Sequence, residues 1–241
     1  MASSASDRLA GGQVALVALF VTALVTAQLT ASKLLLFDIP VSLPHTGSSL
    51  VLPGAALAYA VTFFASDCYS ELYGRRPAQV MVNVGFAMNF VLLALVYSTV
   101  QAPIAPFSGV GQSEFSSVLL SSANIVAGSL LAYVVSQNWD VVVFHAIRDR
   151  TGGDHLWLRN VGSTATSQAI DTVIFVTVAF WAAPTLFGVG QVYEVSQILA
   201  LIVGQYVLKL GIAVGDTPFV YAVVRAVRGA EPDATPDPAA D

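Results

Sequence analysis

"TFFASDCYSELYGRRPAQ", residues 62–79, decides how the rest of the chain is read. An almost wholly apolar run leads into it. Asp67 and Glu71 then appear four residues apart, which puts both carboxylates on one helical face. Gly74, Arg75, Arg76 and Pro77 follow at once, and apolar residues resume at Ala78. An apolar helix that closes on carboxylates and a basic turn, with a second apolar run behind it, is the pattern of a chain that crosses a membrane and turns back.

The surrounding sequence fits that pattern. Of 241 residues, 56% are hydrophobic and 10% charged, and the mean hydropathy is +0.73. Soluble domains carry about a quarter charged residues, and a water-soluble fold could not hide this much apolar surface. Crossing hydrocarbon as a helix takes ~20 apolar residues. Six stretches qualify, at 12–32, 51–73, 78–100, 115–137, 160–183 and 195–224. A large soluble helical core would need charged outer faces, which these segments lack. The expected fold is therefore all-α, a polytopic membrane protein of six transmembrane helices. The first stretch is too long for a signal-peptide core and has no clear cleavage site, so it reads as a retained span.

Orientation follows from the basic residues. Arg8, Arg75, Arg76, Arg148, Arg150, Arg159, Arg225 and Arg228 all fall on one side if six spans alternate. The opposite connections, near 34–50, 101–114 and 184–194, hold no Arg or Lys once Lys33 is placed at the end of span one. That asymmetry puts both termini in the cytoplasm of a cell (plasma) membrane protein. Short connections make residues 11–228 one transmembrane domain, behind a polar tail at 1–10. Residues 229–241, rich in Pro, Ala and Asp, read as a disordered tail that carries much of the net charge of −5. The segment 34–50 is expected to be a re-entrant or extended outer turn. The segment after span four, "NWDVVVFHAIRDRTGGDHLWLRN" (138–160), suggests an amphipathic surface helix ended by Gly152 and Gly153.

Ionisable residues at membrane depth are costly and usually face a bundle interior. Span one has Thr22, Thr26, Thr30 and Lys33 down one face, beside Ala23, Ala27 and Ala31 at a spacing that permits close helix approach. Span five has Ser163, Ser167 and Asp171 at successive helical turns, with Thr164, Gln168 and Thr172 beside them. Span six has Gln205, Lys209 and Asp216 on one face, and Gly211, Gly215 and Pro218 weaken that helix. Buried ions are normally paired, so Asp171 and Lys209 are the natural partners. Glu71 can pair with Arg75 one turn away. Asp67 has no obvious local partner and is the better ligand candidate. Cys68, the single cysteine, reads as a small packing residue.

Catalytic readings fail on their motifs. "AVGD" (213–216) has Ala where an intramembrane aspartyl protease needs its first Gly. His45, His145 and His155 fall in expected loops without zinc spacing, no serine stands in a GxSxG elbow, and there is no P-loop. The chain is therefore expected not to be an enzyme, and no cofactor or metal is implied. With no basic stripe, nucleic acid is not an expected partner.

Four segments together carry a resemblance: "ASDCYSELYGRRPA" (65–78), "NWDVVVFHAIR" (138–148), "LWLRNVGSTATSQAIDTVIF" (156–175) and "KLGIAVGDTPFVYAVV" (209–224). The chain resembles the queuosine precursor transporter family from about span one to Arg228. The resemblance implies six spans and import of queuosine and archaeosine precursors, 7-deazaguanine bases used in tRNA modification. The matching positions include Arg159, Ser163, Thr164, Gln168, Asp171, Thr172, Lys209, Thr217, Pro218 and Tyr221. With Asp67 and Glu71 from the opening stretch, the expected substrate-binding set is Asp67, Glu71, Arg159, Ser163, Gln168, Asp171 and Lys209. Partners are then the small-molecule base and membrane lipid, with a homo-oligomer left open. A guanine-like base presents two adjacent N–H donors that one carboxylate can accept. Gln168 or Asn89 would serve its carbonyl, and Tyr69 or Trp139 could stack on its ring. The alternative is a substrate-binding membrane component of an energy-coupling-factor vitamin transporter, which would use a stripe such as Ala23–Ala27–Ala31 to dock a partner.

Overall fold

A computed structural model describes residues 2–151 and 156–229, with the side chains of 2–10, 156–160, 214, 228 and 229 left out. Helix α1 (Ala2–Thr30) leads into a hairpin of β1 (Leu34–Leu43) and β2 (Gly47–Pro53). Helices α2 (Ala56–Tyr73), α3 (Arg75–Gln101), α4 (Gln112–Arg150) and α5 (Leu156–Thr177) follow. A π-helical turn (Val178–Ala182) joins α5 to the short α6 (Ala183–Phe187), and α7 (Val195–Gly215) and α8 (Thr217–Gly229) complete the described chain. Among the described residues, five segments are long and apolar enough to cross a membrane: Gly11–Thr30, Arg75–Gln101, Gln112–Arg150, Val161–Phe187 and Val195–Val227. The protein is a helical, multi-pass membrane protein. The second expected span, α2, has 18 residues and carries Asp67 and Glu71, and it is not one of those five.

Local chemistry sets the boundaries. Gly74 alone separates α2 from α3, with φ 91° and ψ 160°, a conformation that favours glycine. The arginines of the basic turn are thus the first two residues of α3, ahead of Pro77, which a first turn tolerates. The π turn has a similar cause. Pro184 has no N–H and its ring crowds the carbonyl four residues back, that of Phe180. Ala183 instead donates to Val178, and the freed Phe180 carbonyl accepts from the Tyr193 N–H at 3.2 Å. Asp216 breaks span six into α7 and α8 where Gly215 and Pro218 flank it, as those residues led us to expect.

Three elements differ from the sequence expectation. The outer turn is an antiparallel hairpin, so the chain is not wholly α. It pairs Leu34 with Pro53, Leu36 with Val51 and Asp38 with Ser49, and is irregular between Asp38 and Leu43, where Pro40 supplies no donor. The amphipathic stretch at 138–150 is no separate surface helix, because α4 runs unbroken for 39 residues to Arg150. Gly152 and Gly153, its expected stop, lie outside the described residues, as does the tail from 230. The threonine face of α1 points out of the bundle: Thr26 and Thr30 are exposed, and each hydroxyl donates at 2.8 Å to the carbonyl one turn back. Those bonds satisfy the hydroxyls within the helix itself.

The core is built from small and aromatic side chains. Ala23, Ala27 and Ala31 are buried within the bundle, so the stripe that could have docked a partner is used inside the chain. Ala27, Ala31, Ala132, Phe175, Phe180 and Leu201 share one cluster, while Phe20, Leu24, Tyr69 and Met81 share another. Cys68 is fully buried against Val220 and Val224. Gly204 of α7 lies against the Val51 carbonyl of β2, where a Cβ would collide with backbone, and this fixes the hairpin on the bundle. Between α1 and α3, Phe20 and Leu24 pack on Gly85. One turn further along each helix stand Gln28 and Asn89, each 1% exposed, with all four amide atoms lacking a partner among the described residues.

Candidate functional site

Two of the ionisable side chains, Lys209 and Asp171, meet where α2, α4, α5 and α7 converge. Lys209 of α7 donates to Asp171 of α5 at 2.5 Å, with 8% and 25% of the two side chains exposed. The expected pair therefore forms. The second carboxylate oxygen of Asp171 accepts from the Ser136 hydroxyl of α4 at 3.3 Å. A central cavity of about 170 Å³ opens on this pair and includes Gln168 and Gln205. Its walls are aromatic, from Phe20, Tyr59, Phe63, Phe86, Tyr133 and Phe175.

Phe63, Gln168 and Lys209 also border a second cavity of about 470 Å³, whose other polar residues include Asp67, Thr164 and Asp216. Asp67 and Asp216 in turn border a third, of about 370 Å³, with Ser70, Glu71 and Tyr221. Shared lining residues make the three spaces neighbours, in order from the Asp171–Lys209 pair past Asp67 to Glu71 at the end of α2, where the arginine turn lies. A small polar molecule held at the ion pair would have carboxylates along its way to that end.

The expected site residues thus divide. Gln168, Asp171 and Lys209 are together in the central cavity; Asp67 and Glu71 line the neighbouring spaces. Ser163 is buried, 2% exposed, and lines none of these spaces. Arg159 belongs to α5 as a backbone position, and its side chain lies outside the described residues. The two aromatic candidates are elsewhere: Tyr69 is a core residue whose hydroxyl accepts from Gln13 at 2.7 Å, and Trp139 donates to Thr166 at 3.3 Å. Asn89 is buried in α3 and does not line the cavity.

Several lining residues were not anticipated. Ser129 and Ser136 lie seven residues apart and hence on one face of α4. Ser129 meets Tyr59 at 3.4 Å, and Tyr133 donates to Asn83 at 2.7 Å while stacking on Phe86 with centroids 4.4 Å apart. Asp140, two turns along α4 from Tyr133, accepts from Ser167 at 3.3 Å. That serine spacing was visible in the sequence; which helices its face would meet was not.

Comparison with known proteins agrees with this architecture. The profile of a family described as "Putative vitamin uptake transporter" matches residues 53–223. The chain is 33% identical over 170 residues, 70% of each protein, to the "Probable queuosine precursor transporter" of Bacillus subtilis (strain 168). It is 26% identical over 136 residues to the "Queuosine precursor transporter" of Escherichia coli (strain K12), covering 55% of this chain and 57% of that protein. No solved structure matches. A match over this much of the chain, on a helical bundle with a polar cavity at its centre, places the chain in the family of membrane transporters to which the queuosine precursor transporters belong.

Proposed function

We propose that the protein imports queuosine precursors, 7-deazaguanine bases, across the plasma membrane for tRNA modification, without catalysing a reaction. In this reading α2 serves as a sixth span, and both termini and the arginine turn face the cytoplasm. The observation that carries the proposal is the central cavity: an ion pair and two glutamine amides within an aromatic wall. A flat, polar, largely uncharged heterocycle suits such a lining, since the rings can stack on it and few polar groups fix its orientation.

Gln168, Asp171 and Lys209 form the holding site in this scheme. Asp67 accepts the paired N–H donors of the base as it moves toward the inner end, and Glu71 secures the turn to α3. Ser163, buried on α5, supports that helix behind the site, and Arg159 stays in the proposed substrate-binding set.

The test is uptake of labelled 7-deazaguanines by cells that cannot synthesise them, with and without this chain. Chain-dependent accumulation is the expected result, and equal uptake in both would overturn the proposal. Uptake by the purified protein in liposomes should persist, because the alanine stripe that a separate energising subunit would need is already buried.

A further inference from the structure

On the side of α3 and α4, the wall of the central cavity depends on one side chain. Tyr133 lines that cavity, half-buried and stacked on Phe86, another lining residue, with ring centroids 4.4 Å apart. Its hydroxyl reaches two side chains that do not line the cavity. It accepts from the Gln79 amide at 2.6 Å and donates to Asn83 at 2.7 Å, and Gln79 also donates to Asn83 at 3.1 Å. Gln79 and Asn83 are exposed on α3 and border none of the three spaces. Tyr133 thus stands between the cavity and a closed ring of hydrogen bonds on the bundle's exterior.

That exterior is polar where a lipid-facing surface would be apolar. Gln79 and Asn83 follow Arg75 by four and eight residues, which is about 6 and 12 Å along a membrane-crossing helix. Gln137, one turn beyond Tyr133 on α4, is also exposed and does line the cavity. Polar side chains at such depth face a water-filled space or other protein groups, not hydrocarbon. The tethers of α3 matter as well. Among the described residues, side-chain hydrogen bonds tie α3 to α4 at two levels. One is Tyr133; the other, near the far end of α3, is the Gln112 amide on the Val100 carbonyl at 2.6 Å. Releasing the Tyr133 hydroxyl frees the half of α3 next to the arginine turn and leaves the other half tied.

We propose that Tyr133 is the gating residue of a second mouth of the transport cavity, between α3 and α4, which its hydroxyl holds shut. Once the hydroxyl lets go, the cavity joins the amide-lined face outside it, and a polar heterocycle can pass without entering hydrocarbon. This deepens the reading of the chain as a base transporter, on which it rests, by adding a way toward the arginine turn beside the one past Asp67.

The experiment is labelling of Ser66→Cys by a water-soluble maleimide in the purified full chain, with Cys68→Ser in every such protein; Ser66 lines the cavity. Tyr133→Phe keeps the ring and removes its bonds, while Gln79→Ala with Asn83→Ala removes the partners without touching the cavity wall. Each should raise the labelling rate about tenfold, because the loss of two ordinary hydrogen bonds enlarges the open population by that order. Tyr206→Phe removes a hydroxyl bond to the Ala165 carbonyl, at 3.3 Å and away from these spaces. It should stay within about twofold of the parent, as a single interhelical bond lost elsewhere. Native Cys68, fully buried, should stay unreactive in the same Tyr133, Gln79 and Asn83 variants made without the two cysteine changes. Parent-like labelling in both latch variants, or fast labelling of Cys68 in them, would overturn the gate. Saturating 7-deazaguanine should slow labelling of Ser66→Cys in parent and variants alike. Protection in none of them removes the base-transporter reading and the gate's role with it, whereas protection with equal labelling rates removes the gate alone.

Discussion

Lys209 and Asp171 each depend on the other, because a lone charge in this setting has little water to turn to. Lys209→Met or Asp171→Asn alone should destabilise the protein by about 3 kcal/mol, at the lower end for broken buried pairs because Asp171 is a quarter exposed. The double change should melt much closer to the parent and still assemble. Base binding should nonetheless fall at least tenfold or so, since both charged groups of the proposed holding site are gone. Full binding by the double variant would reduce the pair to a neutralising role. Asp67→Asn turns an acceptor into a donor and should cut uptake about tenfold at near-normal membrane abundance. Glu71→Gln should lower abundance more than affinity. These residues could be found from the sequence because charge in an apolar helix is conspicuous and its partners are few. Ser129, Ser136 and Tyr59 could not, since such residues are as much at home in helix packing as in a site. Tyr69 and Trp139 failed as ring-stacking candidates for a related reason: helical spacing gives the face a residue occupies, not the element that covers that face.

At the scale of elements, two glycines of α7 offer a matched comparison. Gly204 touches the backbone of Val51, whereas Gly211 has open space where a side chain would begin. Gly211→Ala should stabilise the helix by up to about 1 kcal/mol through propensity alone. Gly204→Ala must push β2 away and should lower the melting temperature; equal melting of the two variants would show that the hairpin is not clamped there. The hairpin itself was hard to foresee, because "LLLFDIPVSL" (34–43) is apolar without strict alternation and such short runs do not distinguish strand from helix. The end of α4 was misread for the opposite reason. A genuine helical period at 141–147 was assigned to a membrane surface, whereas it continues a helix that packs along α5. The break at Asp216 was legible, since glycine and proline act on the backbone wherever the fold places them.

At the scale of the whole molecule, orientation is open to direct measurement. The only native thiol, Cys68, is fully buried, so labelling should have little background. A cysteine at Ser108, exposed in the connection between α3 and α4, should react from outside the cell. One at Thr151, beyond α4, should react only after the membrane is opened; the reverse would invert the bundle. The amides of Gln28 and Asn89 carry a different consequence. Each of these buried groups, without a partner among the described residues, forfeits about 1–3 kcal/mol that hydration would return. The packing of α1 and α3 is therefore held below the stability it could have, and any arrangement that brings a partner to these amides is favoured by that difference. Asn89→Leu should raise the melting temperature and slow uptake together, as a variant with a deeper resting minimum and a higher climb out of it. Read in this way, the missing hydrogen bonds are a thermodynamic bias that keeps the bundle from settling too firmly into one shape.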